Sequence, residues 1–476
     1  MTTIPEIAAL RRGASRLRIP PSIDVPMTER VRRLVDAPPM RRLASISQLG
    51  LVSLVYPGAT HSRLEHSLGV YANSLRLLDQ FSSLDAPFAA SAQEAFVVAA
   101  LVHDAGHWPF CHPIEDMGDS LRRRSGQGRQ GILKHEDRVA AILCHSEIAD
   151  CLQRDWSCNA DDVMSILRPQ THAKRPHCQL SGSDVAFLAS CLSGPIDIDK
   201  LDYLQRDSLH SGVPYGRNFD PDRIISALCI HPNQPRLAIS EKGRTAAEMM
   251  VFGRYVMFSE VYWHHTVRAA TAMLQRALFA FQNETTASRT QLDFDLASWC
   301  DLSDADWIAS LRSAAAHGSD TPVQKLVDGL FGASRVLLKR AAEFNVESGG
   351  RVHATLARRP YWWLVECSRA LARILSFEVG TDIDPTLVLI DAPPVKLEVD
   401  INIDVITRTG DVMPLGDVSP VASVLANRQF DNHVKRVRVF VPADVREALL
   451  HSHSNLNRKM QEWLVQAAEQ TQDTVV

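Results

Sequence analysis

The sequence predicts a mainly α-helical protein with a small α/β lobe near its C-terminus. Three observations predict it. From residue 28 to about 285 apolar residues recur mostly at helical spacing. Within that stretch one helix is legible from end to end, because Ser91 and Glu94 suit a capping box, Ala95 to Val102 is a buried apolar run and Gly106 follows as a stop. Near residue 387 the period changes to alternation, as in VKLEVDINIDV at 395–405.

Taken in order, residues 1–27 lack apolar periodicity and read as an N-terminal extension punctuated by Pro20-Pro21. Residues 28–285 form the helical core. Helices are expected over 66–82, over the run that ends at His103-Asp104, and from near Asp199, where Leu201, Leu204 and Leu209 recur. DSLRRRSGQGRQG at 119–131 is glycine-rich and basic, and reads as a mobile loop. Residues 286–378 form a helical extension, with helix expected across 286–345 and clearest in DGLFGASRVLLKRAAEF. Residues 379–476 form the α/β lobe, with strands at 387–390, 395–405 and 434–441 and a fraying terminal helix at 455–469.

Composition excludes several classes. Of 476 residues, 45% are hydrophobic and 22% charged, as in an ordinary globular protein, and no apolar run is long enough to span a bilayer. The N-terminus has no signal-peptide pattern, so no membrane partner and a cytoplasmic location are expected. Nine cysteines, an odd number without a CxxC pair, argue against a disulfide framework or a zinc ribbon. A net charge of −4 gives no global attraction to nucleic acid. The Arg-rich first 45 residues read as a solvated or subunit-facing surface in preference to a nucleic-acid arm.

The chemistry begins with a doublet. His103 and Asp104, at the end of a buried helix, offer a nitrogen and an oxygen to one ion, and His66 and Asp199 on separate helices could face it. Two histidines and two aspartates make a mixed N/O set suited to Mn, Fe, Ni, Co or Zn, with positions left for water and substrate. By residue type and spacing alone this signal is weak, since polar core residues of the same types are common.

The flanks carry more. YPGATHSRLEHSLGVY (56–71), HDAGHWPFCH (103–112), KHE (134–136) and IDIDKLDYLQRD (196–207) closely resemble the HD-domain deoxynucleoside triphosphate triphosphohydrolases, the group of SAM-and-HD-domain and bacterial dGTPase-like enzymes. LVDAPPMRRLASISQLG (34–50), GVPYGRNFDPDRII (212–225) and GRYVMFSEVYWHH (253–265) extend the resemblance, which covers about 30–280. It implies a helical HD-domain core in which His66, His103, Asp104 and Asp199 bind a divalent metal, Mg included. Arg63, Lys200 and Arg254 match phosphate-contacting positions, and Tyr203 and Asp207 lie on the same helical face as Lys200. His107, His112 and His135 match a second histidine set, with His112 as general acid oriented by Glu115, where some members have Asp. Gln48, Leu49, Asp207 and Tyr262 match a sugar pocket that selects against a 2′-hydroxyl. His265 departs from a frequent Lys.

The implied activity is hydrolysis of a dNTP at the α-phosphorus to deoxynucleoside and inorganic triphosphate. The alternative is HD-type phosphohydrolase or phosphodiesterase action on another nucleotide or nucleic acid, and a third class is a nucleic-acid-binding regulator with a vestigial site. The resemblance also implies a homo-oligomer (dimer, tetramer or hexamer) and a possible nucleotide activator, without regulation by a SAM module.

Overall fold

In the computed structural model, residues 3–472 are described apart from 14, 22, 84–87, 122–133, 145, 284–297, 317–320, 394–401 and 426–433. The chain is mainly α-helical, with a smaller β-containing C-terminal lobe, as the sequence predicts. It forms two compact units, each assembled from three separate stretches. The first comprises Met1–Trp108, Leu133–Met257 and Val399–Asn427; the second comprises Pro109–Ile132, Phe258–Glu398 and Arg428–Val476.

In the first unit, the helices Arg63–Ser83, Ala90–Val102 and Ile198–His210 pack together. Ala95 to Val102 has no exposed residue, so this helix is apolar all round and occupies the centre. It starts at Ala90 after Ala89, not on a Ser91–Glu94 box. Glu94 faces inward instead, accepting from Arg30 Nη1 (2.7 Å) and Ser157 Oγ (2.6 Å). Tertiary pairing there outweighs the local capping pattern. The first helix starts at Arg63, three residues before the expected His66, and the third at Ile198, capped by the Asp197 side chain on Lys200 N (2.7 Å).

The N-terminal segment is more ordered than its sequence suggests. Pro5–Arg12 is a helix that buries Ile7, with Ile4 buried beside it. Strands β1 (Arg16–Ile19) and β2 (Ile23–Pro26) form an antiparallel hairpin, tied down by Tyr71 Oη donating to Pro26 O (2.9 Å). A four-stranded sheet has the order β3-β4-β7-β8, with β3 Leu228–Ile230, β4 Leu237–Ser240, β7 Asp404–Ile406 and β8 Val412–Pro414. Its β4–β7 pair is parallel, with Ile239 opposite Val405.

The second unit holds the sheet β5-β9-β6, formed by Lys339–Phe344, Val437–Val441 and Leu389–Asp391. Central β9 is buried along its whole length. Its core joins Phe344, Val439 and Trp363 with Leu371 of the Tyr361–Val379 helix and Met460 and Leu464 of the Leu456–Gln472 helix. One expectation is corrected here. KRAAEF pairs with β9 as a strand and does not continue a helix, its Ala342 and Phe344 alternating inward. The terminal helix, expected at 455–469, runs over Leu456–Gln472 and lays its apolar face in this core. Residues 122–131 of the expected basic loop at 119–131, residues 395–401 of the expected strand at 395–405 and residues 286–297 of the expected helix at 286–345 lie outside the described residues. Among the described residues no helix is long and apolar enough to cross a membrane.

Candidate metal centre

The centre lies in the first unit, where three helices meet. His66 comes from the first turn of Arg63–Ser83, His103 and Asp104 follow the end of Ala90–Val102, and Asp199 opens Ile198–His210. One ligand atom each from His66, His103 and Asp199 lies within 4.8 Å of the others. His66 Nε2 stands 3.0 Å from Asp199 Oδ1 and 3.3 Å from His103 Nε2, and Asp104 Oδ1 is 3.4 Å from His103 Nε2.

Both imidazoles are held from behind. Their Nδ1 atoms meet acceptors, Asp202 Oδ2 for His66 (2.8 Å) and Ala100 O for His103 (2.9 Å). With Nδ1–H donating, each Nε2 presents a lone pair to the same point as two carboxylates. Two nitrogen lone pairs face each other there, which is unfavourable without a proton or a cation between them. The donor set therefore fits a divalent metal ion, and the chain carries a buried divalent-cation site.

Electrostatics agree with that fit. Burial alone would lower the His66 imidazole, but its bonds to Asp199 and Asp202 outweigh burial and hold it up at about 10. Burial would raise the Asp104 carboxyl, yet His107, His103 and Arg63 hold it well below the usual carboxylate range. Asp199 is likewise lowered against burial, first through His66. The negative charge is thus available to an ion, which would displace the shared proton.

Cations surround the cluster. Arg63 Nη1 donates to Asp104 Oδ2 (2.7 Å). Lys200 Nζ donates to Asp197 Oδ2 (2.5 Å), and that partner keeps its ammonium raised although burial opposes it. Tyr203 is raised by burial against the nearby charges of Arg254 and Lys200, so the structure brings these three together. His107 Nδ1 is 3.3 Å from Asp104 Oδ1, and its ring lies 3.8 Å from that of His135. Gly106 permits that approach: a Cβ there would sit 1.9 Å from His135 O.

Gln48 N donates to His61 O (2.9 Å), which sets the Gln48-Leu49 pair beside the start of the Arg63 helix. Gln48 Oε1 is buried without a hydrogen-bond partner among the described residues. Asp207 Oδ1 contacts His61 Nε2 (2.9 Å). His112, Glu115 and Tyr262 belong to the second unit. His112 is exposed on the short helix Cys111–Glu115, with Glu115 half-buried, and Tyr262 ends a π-turn over Phe258–Tyr262, its ring 5.0 Å from that of Phe258. Sequence reasoning missed Asp202, Arg206, His61 and Gly69. The i,i+4 spacing of Asp202 and Arg206 on the Asp199 helix was the available signal.

Residues 219–460 match the family described as HD associated region, and residues 63–206 match the HD domain. The chain is 32% identical over 246 residues to YwfO, an uncharacterized protein of Bacillus subtilis (strain 168), covering 52% of this chain and 50% of YwfO. It is 26% identical over 316 residues to the Gallus gallus deoxynucleoside triphosphate triphosphohydrolase SAMHD1, covering 60% and 50% of the two chains. It thus spans about half the length of these curated relatives. A phosphohydrolase structure from Bacteroides thetaiotaomicron VPI-5482 shares the fold, with a TM-score of 0.66 at 23% identity over 90% of this chain and 99% of that one.

Proposed function

The chain belongs to the HD-domain metal-hydrolase superfamily, with the HD-associated region as half its length, and from that premise we propose that it is a metal-dependent phosphohydrolase acting on nucleotides. The observation that carries this reading is the convergence of the Nε2 atoms of His66 and His103 with Asp199, with Arg63 bonded to Asp104 and Lys200 next to Asp199. His66, His103, Asp104 and Asp199 would hold the ion, which supplies a Lewis acid for a phosphoryl oxygen and an activated water. The chain's own cations oppose the charge of a polyphosphate and stabilise the charge that develops on its oxygens. Arg63 is fixed for this by Asp104, and Lys200 by Asp197. His107 and His135 offer nitrogens to phosphate oxygens.

Within this reading the favoured substrate is a deoxynucleoside triphosphate. Water adds at the α-phosphorus and releases a proton to solvent, the bond to the 5′-oxygen breaks, and that oxygen takes up a proton, a role for which the family resemblance assigns His112 with Glu115. Deoxynucleoside and inorganic triphosphate leave. Gln48 supports the sugar assignment, because its buried amide oxygen lacks a partner that a 3′-hydroxyl would provide. In this reading Leu49 would crowd the 2′ position and Asp207 would bind the sugar, and the family resemblance assigns Tyr262 to sugar packing as well. Another nucleotide or a phosphodiester is the second reading, favoured by His265, where Lys is frequent. If a nucleotide activator is needed, a cavity of about 490 Å³ in the second unit, lined by His265, Arg335, Lys339, Arg340 and Arg446, offers it cationic side chains. His265 there is lowered to about 4, first by burial and then by neighbouring His264, Arg340 and Arg438. A cytoplasmic homo-oligomer is part of the same reading.

The test is a panel of dNTPs, NTPs, monophosphates and cyclic nucleotides with Mn or Mg, with products identified. Triphosphate release from dNTPs is expected, lost in the His103→Ala, Asp104→Ala double variant, which stays folded. Phosphate or pyrophosphate as the sole inorganic product would sink the dNTP reading, and full activity in the double variant would sink the metal assignment.

A further inference from the structure

Behind His66 the Asp202 carboxylate is itself held in a buried clamp. Asp202 Oδ2 faces His66 Nδ1 at 2.8 Å. Arg206 grips the same carboxylate with two bonds, Nε to Oδ2 (2.8 Å) and Nη2 to Oδ1 (2.7 Å). Its remaining nitrogen, Nη1, donates to Glu65 Oε1 (2.6 Å) and to Pro20 O (2.8 Å). His66, Asp202 and Arg206 are all buried. Space for the clamp exists because residue 69, one turn beyond His66, is glycine. A Cβ there would meet Asp202 Oδ1 at 1.9 Å and Arg206 Nη2 at 2.4 Å.

A buried ion pair is a poor source of net stability, since desolvation costs about as much as the pairing returns. Its placement points to another task. A free imidazole has two tautomers and can flip, and only one arrangement aims a lone pair from Nε2 at the centre. A carboxylate that accepts from Nδ1–H selects that arrangement. Arg206 in turn holds both oxygens of Asp202, so the carboxylate cannot swing inward and become a ligand itself.

We propose that Asp202, clamped by Arg206 in the space left by Gly69, is the positioning residue that fixes His66 and sets the affinity of the centre for a divalent cation. The inference rests on the assignment of His66 as a metal ligand. Loss of such an outer partner weakens metal binding by about 10- to 100-fold.

The experiment is calorimetric titration of Mn²⁺ alone into the chelator-stripped full chain. Asp202→Asn keeps shape and removes the charge; Gly69→Ala keeps every charge and displaces the clamp. Both are expected to raise the Kd for Mn²⁺ by about 10- to 100-fold with the circular dichroism spectrum intact. Glu94→Gln, a buried ion-pair variant remote from the centre, is expected to lose thermal stability with Kd unchanged. If D202N does not fold, R206K carries the test, since it keeps the charge but gives up the two-bond grip, and its Kd should rise several-fold. Wild-type affinity in the folded clamp variants overturns the proposal and leaves the metal reading standing. A wild-type chain that binds neither Mn²⁺ nor Zn²⁺ overturns both.

Discussion

Glu94 should be among the most sensitive positions outside the metal centre. It lies near the start of the helix whose far end carries His103 and Asp104. Its carboxylate accepts from Arg30 Nη1 (2.7 Å), Ser157 N (2.5 Å) and Ser157 Oγ (2.6 Å). Arg30 is half the story: it also grips both oxygens of Glu6 (2.9 and 2.6 Å) and lies over the Trp156 ring at 4.0 Å. Breaking a buried pair by removing one partner costs about 3–5 kcal/mol. Here the lower end applies. Arg30 keeps Glu6, and Ser157 is exposed enough to rehydrate its N–H. Glu94→Ala should therefore cost about 3 kcal/mol. For a cooperative unit of roughly 250 residues, each kcal/mol lowers Tm by about 2–4 °C, so a fall of roughly 6–12 °C is expected by differential scanning calorimetry. A Tm within about 1 °C of wild type would refute the view that this network anchors the helix.

Other perturbations follow from the same geometry. Leu49→Ala should admit a ribose, lowering the ratio of kcat/KM for dNTP over NTP by about tenfold; an unchanged ratio would remove Leu49 from sugar selection. Glu343 is pulled down to about 2 by Arg438 and Arg436 against the effect of burial, below its ordinary 4.5. Since its folded pKa is the lower one, its contribution is complete above about pH 4.5 and fades as pH falls towards 2. Discounted for partial exposure, it amounts to about 2 kcal/mol, and Glu343→Gln should flatten the acid limb of Tm against pH over that window. Met460→Ala should cost about 2–5 kcal/mol in denaturant unfolding, because its side chain is fully buried; a cost under about 0.5 kcal/mol would mean that the terminal helix frays.

Much of the site is legible in the sequence because its chemistry is written in short motifs. HD at 103–104 and the segments around His66 and Asp199 each supply ligands within one turn of a helix start or end, and the fold brings them together. What stays hidden depends on partners far away in sequence. KRAAEF has helix-forming residues, but β9 offers it a ladder and a core, and pairing decides. Glu94 reads as a cap because sequence shows its neighbours three residues away and not Arg30, 64 positions earlier. Ile4 and Ile7 are too few to make a visible period, yet both are buried. Asp202 escapes notice for a similar reason. Its neighbours Lys200, Tyr203 and Asp207 match a motif, while its own task depends on Arg206 and on the missing side chain at Gly69.

The parallel pairing of β4 with β7 has a consequence for the chain as it is made. Ile239 of β4 meets Val405 of β7, so that edge of β4 stays unpaired while the intervening chain leaves the ribosome. Roughly 160 residues of synthesis take on the order of 10–30 s. Over that interval the nascent chain presents a bare strand edge, the kind of surface that recruits a second chain. A polypeptide ended before residue 399 would never cover it. Removing the C-terminal lobe by truncation would therefore also strip a strand from the unit that holds the metal centre, and a soluble fragment is better sought by internal excision that retains 399–427.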